Sequence, residues 1–98
     1  MYCLAWKYTV SSDQEEFEKE HGRSGSWFKL FEPCDDYLGH ELMKSEDEKT
    51  YILTSKWMSR GDYENFIAEN REVYDSLKKK MMNLFDVEES LGAFNILQ

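Results

Sequence analysis

Proline occurs once in this chain of 98 residues and glycine five times, so neither an extended proline-rich linker nor a flexible low-complexity segment fits its composition. Cysteine is almost as scarce. Cys3 and Cys34 lack the C-x-x-C spacing of a metal or redox motif, and no apolar N-terminal segment resembles a secretory leader. A reduced, cytoplasmic protein is the expectation, with a Cys3–Cys34 disulfide as the lesser alternative. No apolar run approaches the roughly 20 residues that a membrane-spanning helix needs. Positive charge is short as well: 12 Lys and Arg against 20 Asp and Glu give a formal charge of −8, which repels phosphate backbones and anionic bilayers. Nucleic acid and membrane are therefore not expected partners. The one basic cluster, Lys78 to Lys80, falls in the last turns of a predicted helix, where cations favour the negative end of the dipole. No phosphate loop, His-rich metal centre or nucleophile–base pair is visible.

Aromatic residues are what the chain has in excess. Three Trp, six Tyr and six Phe are many for a single domain, residues 1–98, that can bury only ~60–70% of its unfolded surface. Such a chain either encloses an aromatic-lined pocket or hides a sheet face against a second copy.

The pattern is clearest from Thr50 to Leu84. In T-Y-I-L-T-S-K-W, period-two alternation puts Tyr51, Leu53, Ser55 and Trp57 on one face of a strand and Ile52, Thr54 and Lys56 on the other. The chain then turns through Met58 and Ser59. Tyr63, Phe66, Ile67, Asn70, Tyr74, Leu77 and Met81 recur at steps of three and four, which predicts one long amphipathic helix on that sheet, started by Ser59 and Asp62. Upstream, Tyr2, Leu4, Trp6, Tyr8 and Val10 share a face of a first strand, opposite Cys3, Ala5, Lys7 and Thr9. Ser12 and Glu15 have the spacing of a capping box for a mostly solvated helix anchored by Phe17 and ended by Gly22. After a bend at Arg23 to Ser26, the cluster Trp27, Phe28, Leu30 and Phe31 predicts a short helical piece stopped by Pro33, either core or the lid of a pocket. A second strand runs from Tyr37 to Met43 with Leu38, His40 and Leu42 expected on one face. The polar loop Glu46 to Lys49 joins it to the third as a hairpin, and a last strand begins near Glu88 and Glu89 and ends apolar at Leu91, Phe94, Ile96 and Leu97.

The order is β-α-β-β-α-β, the ferredoxin-like α+β arrangement: a four-stranded antiparallel sheet with helices on one face. The other face carries Cys3, Ala5, Ile52, Phe94 and Ile96. A homodimer packed sheet against sheet is expected.

Four segments together resemble the antibiotic biosynthesis monooxygenase domain of the dimeric α/β barrel superfamily. They are the aromatic first strand, G-R-S-G-S-W-F-K-L-F-E-P after the first helix, G-H-E-L after Tyr37, and Y-I-L-T-S-K-W-M-S-R-G-D-Y-E-N-F from Tyr51 to Phe66; the terminal S-L-G-A-F is similar too. The resemblance implies oxidation of electron-rich aromatic or quinol-type molecules by molecular oxygen without a cofactor or metal. A phenolate-type substrate reduces oxygen itself, so the protein supplies a dry aromatic pocket, a group that favours the anion, and control of oxygen access. A related branch cleaves haem, but its asparagine, tryptophan and histidine positions fall here on Lys7 or its neighbour, Phe66 and Ser76, so that route is disfavoured.

Trp57 matches the family's tryptophan at the end of the third strand and is one catalytic candidate, a donor to an oxygen intermediate, unless it merely packs under the helix. His40 is the other, a base or hydrogen-bond partner titrating near neutrality, unless it is structural. Trp27, Tyr51, Phe66 and Tyr74 are expected in the pocket wall or the core. Arg71 is expected either to hold an anionic substrate or to pair with Glu72 or Asp75. His21, beside Gly22 at a helix end, reads as a favourable cap. A non-catalytic small-ligand-binding or interaction domain of the same fold is the competing reading.

Overall fold

Residues 1–97 of the computed structural model are described here. Four strands, β1 (Tyr2–Thr9), β2 (Tyr37–Lys44), β3 (Thr50–Trp57) and β4 (Val87–Asn95), form one antiparallel sheet in the order β2-β3-β1-β4. Helices α1 (Gln14–His21) and α2 (Ser26–Phe31) connect β1 to β2. Helices α3 (Arg60–Glu69) and α4 (Arg71–Met81), followed by a 3-10 turn, connect β3 to β4. This is the ferredoxin-like α+β fold.

The central pair pairs without interruption from Tyr2 opposite Trp57 to Thr9 opposite Thr50. Along β3 the alternation is complete: Tyr51, Leu53, Ser55 and Trp57 are buried under the helices while the residues between them are half-exposed. Each large side chain sealed this way contributes roughly 2–3 kcal/mol of transfer free energy.

Four expectations from the sequence are corrected. The predicted long helix is two helices, because Asn70 leaves helical geometry (φ −119°, ψ 26°) and its Nδ2 donates to the Phe66 carbonyl at 2.9 Å, satisfying the end of α3. A side chain that competes for the backbone ends a helix even inside a periodic stripe. The Ser12–Glu15 capping box does not form: Asp13 occupies the cap position in the left-handed region (φ 54°) with no side-chain cap bond. Gln14 instead anchors the start of α1, its Nε2 donating to the Val10 and Glu48 carbonyls at 2.8 and 2.6 Å. The Ser59 cap does form, accepting from the Asp62 amide at 3.1 Å.

Leu38 does not share the face of His40. Tyr37 pairs with Trp57 and Gly39 with Lys56, so Leu38 is the extra residue of a β-bulge and is exposed. Gly39 takes φ +107°, a region that L side chains rarely enter, although a Cβ there would meet nothing within 4 Å. Edge strand β4 repeats the device: Leu91 has no partner in β1 and Gly92 has φ +104°. Finally, His21 caps the end of α1 from inside the core, through a hydrogen bond and not through the helix dipole. It is buried at 1% exposure, stacked on Phe17 with centroids 4.1 Å apart, and its Nδ1–H donates to the Phe17 carbonyl at 3.1 Å.

Cys3 lies on the open face, in register with Lys56 and Phe94, whereas Cys34 packs beneath the helices, so the sheet separates the two free thiols. All nine residues of β4 are exposed. No described helix is long and apolar enough to cross a membrane.

Candidate active site

The helix-covered face is divided into two aromatic clusters. The first packs Tyr8, Val10, Phe17, Tyr51 and Leu53 with Leu84 and Phe85; the second packs Phe31, Trp57, Phe66 and Ile67 with Trp27, Tyr37, Tyr63 and Tyr74. Between them runs a polar seam made by Ser55 of β3 and His40 of β2, cross-strand partners on the buried face. Pairing puts them side by side because the bulge restores their common orientation. A cleft of about 50 Å³ lies over this seam. The first cluster's side contributes Trp6, Tyr8 and Leu53, the second's Trp27, Phe31, Tyr63 and Tyr74, and Lys78 of α4 and Glu88 of β4 stand at the same cleft. That volume holds a few waters, whereas pockets for drug-sized ligands run from ~300 Å³ upward. An aromatic ligand therefore has to move part of the wall.

Hydrogen bonds fix the seam. The Trp57 Nε1–H donates to Ser55 Oγ at 2.9 Å, which leaves the Ser55 hydroxyl hydrogen free to serve the cleft. His40 Nε2 lies 3.0 Å from the Gly22 carbonyl, which can only accept, so Nε2 carries the hydrogen. In the neutral ring Nδ1 is then an acceptor, and the Tyr37 hydroxyl donates to it. The tautomer of His40 follows from its two partners.

Three phenols at or beside the cleft, Tyr8, Tyr37 and Tyr63, are held neutral. Burial, and after it the Glu88 carboxylate, pushes Tyr8 far above its ordinary pKa; burial does the same to Tyr37, and burial followed by Tyr74 to Tyr63. Their hydroxyls are donors, not bases. Burial depresses His21 to about 4, so its ring is an uncharged neighbour of Trp27, with centroids 6.4 Å apart. The groups at the cleft with proton-accepting character are Glu88 and His40. Among the described residues no cluster of His, Cys, Asp and Glu could hold a metal ion.

No protein-family model matches the chain, and no curated protein does. Solved structures match it over almost its whole length. SnoaB, a cofactor-independent oxygenase from Streptomyces nogalater, superposes with a TM-score of 0.76 at 18% identity, covering 99% of this chain and 93% of that one. A monooxygenase from the ActVA-Orf6 gene of Streptomyces coelicolor, in complex with nanaomycin D, gives 0.74 at 14% identity and covers 99% and 88%. The chain shares the fold of these oxygenases. A putative antibiotic biosynthesis monooxygenase from Nitrosomonas europaea is matched end to end, 100% of each chain, with a TM-score of 0.67 at 12% identity.

Within this fold, the residues singled out from the sequence separate into three groups. His40, Trp27 and Tyr74 border the cleft. Trp57 and Phe66 lie behind it in the second cluster, Trp57 fully buried and in touch with the lining through its hydrogen bond to Ser55 and its packing on Phe31 and Tyr63. Tyr51 and Arg71 lie away from it. Tyr51 packs in the first cluster and donates to Glu18 Oε2 at 2.5 Å, while Arg71 is exposed on α4 with Asp75 at 3.7 Å, the ion-pair alternative. Ser55, Tyr37, Tyr63, Lys78 and Glu88 were not singled out. Alternation placed Ser55 beside Trp57, and that pairing was the signal for it. Lys78 and Glu88 sit within runs of like charge, where nothing local distinguishes the exposed side chain that borders a cleft from its neighbours.

Proposed function

We propose that this chain is a cofactor-independent monooxygenase that oxidises a small aromatic, quinol-type molecule with molecular oxygen. The observation that supports it best is an aromatic cleft whose floor is a fixed polar pair, Ser55 and His40, within a fold shared with such oxygenases. Stacked rings hold a planar substrate, and exclusion of water favours electron transfer from its anion to oxygen. The substrate's ionised oxygen supplies the electrons, oxygen adds at a ring carbon, and loss of water leaves a carbonyl there. One oxygen atom enters the product and the other leaves as water.

In this reading His40 binds or deprotonates the substrate hydroxyl through Nδ1, exchanging Tyr37 for it. Trp57 acts through Ser55, as a positioning residue. Tyr74 and Trp27 form the wall. The working unit is a homodimer through the open sheet face, where Met43 and Phe94 are about half-exposed around Ala5 and Ile52, and its free thiols suit a cytoplasmic setting. Phe94→Asp should shift sedimentation toward the monomer; an unchanged dimer would place the interface elsewhere.

Oxygen uptake by metal-stripped protein with a panel of anthrones and hydroquinones tests the activity. Uptake above the spontaneous rate, falling at least about tenfold in His40→Ala and in Trp57→Phe, is the expected result, in the range for loss of a positioned acid–base group. A second reading, a ligand-binding domain without turnover, is favoured by one observation: every polar atom of Trp57 and His40 already has a protein partner. Saturable quenching of tryptophan fluorescence with no uptake would select it.

A further inference from the structure

The cleft over the seam has a neighbour. A second cavity, of about 150 Å³, lies between His21 at the end of α1, Met81 and Met82 at the end of α4, and Phe85 ahead of β4. Trp27, Lys78 and Glu88 border both cavities. They are the wall between two spaces.

That wall holds donors that the protein does not use. Trp27 Nε1 is shut off from solvent and has no acceptor, alone in this among the buried side-chain nitrogens and oxygens of the described residues. Its ring is gripped by Phe31, stacked at 5.9 Å, and Tyr74, tilted at 5.5 Å. A buried N–H without a partner costs free energy that an incoming oxygen recovers. Lys78 makes no ion pair within 4.0 Å among the described residues. Of the other polar groups nearby, Trp57 donates to Ser55, His40 bonds at both nitrogens and Glu88 has the Tyr8 hydroxyl beside it, while the unused Ser55 hydroxyl hydrogen borders the first cavity and not the second.

We infer that the two cavities are lobes of one binding cleft, parted by a ligand whose anionic oxygen accepts from the Trp27 indole N–H and faces the Lys78 ammonium. One neutral donor and one cation on a single aromatic wall select a planar fused aromatic bearing an ionised hydroxyl conjugated with a carbonyl. Charge delocalised over both oxygens keeps the anion compatible with an apolar surround, and the rings stack where Tyr74 now meets Trp27. The inference rests on the cleft of the proposed function being a ligand site, but not on turnover there.

The test uses the full chain labelled with ¹⁵N, and 2-hydroxy-1,4-naphthoquinone as the probe at neutral pH. Its three tryptophans give three indole N–H signals, assigned by Trp→Phe variants. Saturable downfield movement of the Trp27 signal, with that of Trp57 unmoved, is expected. Trp27→Phe and Lys78→Gln should each weaken the probe about tenfold, as for a charged hydrogen bond, and leave binding of naphthalene within about twofold. A stationary Trp27 signal, an unchanged affinity in Trp27→Phe, or no saturable binding overturns the inference. Binding through Trp27 without oxygen uptake on any substrate would support it while removing the monooxygenase reading. Uptake with an unmoved Trp27 would do the reverse.

Discussion

Trp57 and Trp27 belong to the same aromatic cluster and differ in almost everything else. Trp57 is sealed at 0% exposure, wedged among Phe31, Tyr37, Tyr63 and Phe66, and its N–H is satisfied within its own strand by Ser55. Trp27 sits on a short helix at the edge of that cluster, half-buried, with its N–H unsatisfied and cavities on both sides. One indole has its polar atom satisfied within the fold, and the other leaves it without a protein partner. The difference teaches how one cluster divides its work: a satisfied, sealed ring holds the sheet to the helices, and an unsatisfied ring beside open space is where the inferred ligand contact falls.

The comparison breaks most readily at Trp57. Trp57→Ala should cost ~3–5 kcal/mol in urea denaturation, the range for large-to-small changes in a packed core, while Trp27→Ala should cost well under half of that. Equal losses would mean that both rings are structural. Next in size is the histidine on Trp27's side. His21 is depressed by burial from 6.5 to about 4, so the unfolded chain binds a proton that the folded chain refuses across that interval. Its contribution is therefore complete above about pH 6.5 and is lost as the pH falls toward 4, amounting to ~3 kcal/mol at most. Glu18, held low chiefly by Tyr51, and Asp47, held low chiefly by the Lys49 amide, lose stability in the same direction at the acid end, so the measurement is the difference between wild type and His21→Gln. A pH slope that survives the substitution would remove His21 as its source.

Ser55→Ala sharpens the contrast by turning Trp57 into a second Trp27, a buried N–H without an acceptor. A loss of about 1–3 kcal/mol is expected, and Trp57→Phe combined with it should cost less than the two single changes added. Strict additivity in that double-mutant cycle would show that the 2.9 Å bond carries nothing. The smallest effect belongs to Arg71→Ala. Its ion pair with Asp75 is exposed on both sides, so the midpoint of unfolding should move by less than ~0.5 kcal/mol.

What could be read from the sequence was what repeats over short distances. The buried face of β3, the Ser59 cap and the element order all follow from alternation, spacing and turn chemistry. The break at Asn70 was hidden because the apolar stripe runs on in phase through it, and only the local bond from Nδ2 to the Phe66 carbonyl ends α3. The Ser12 box failed because the exit from β1 turns left-handed at Asp13, and Gln14 binds the neighbouring loop instead of closing the helix start. Of the residues bordering the cleft, His40, Trp27 and Tyr74 were among the candidates that the sequence offered. Lys78 and Glu88 were not, since which charge of a run comes to border the cleft depends on elements far away in the chain.

The two Leu-Gly bulges, at Leu38–Gly39 and Leu91–Gly92, both lie in edge strands, while the central pair keeps its ladder unbroken from Tyr2 to Thr9. An added residue in a regular strand reverses the facing of everything beyond it. Here each added leucine is absorbed locally, so Tyr37 and His40, three positions apart, still look the same way. Length change in this domain thus has a place to occur: the rims of the sheet can gain or lose one residue without inverting the site, and the two middle strands cannot.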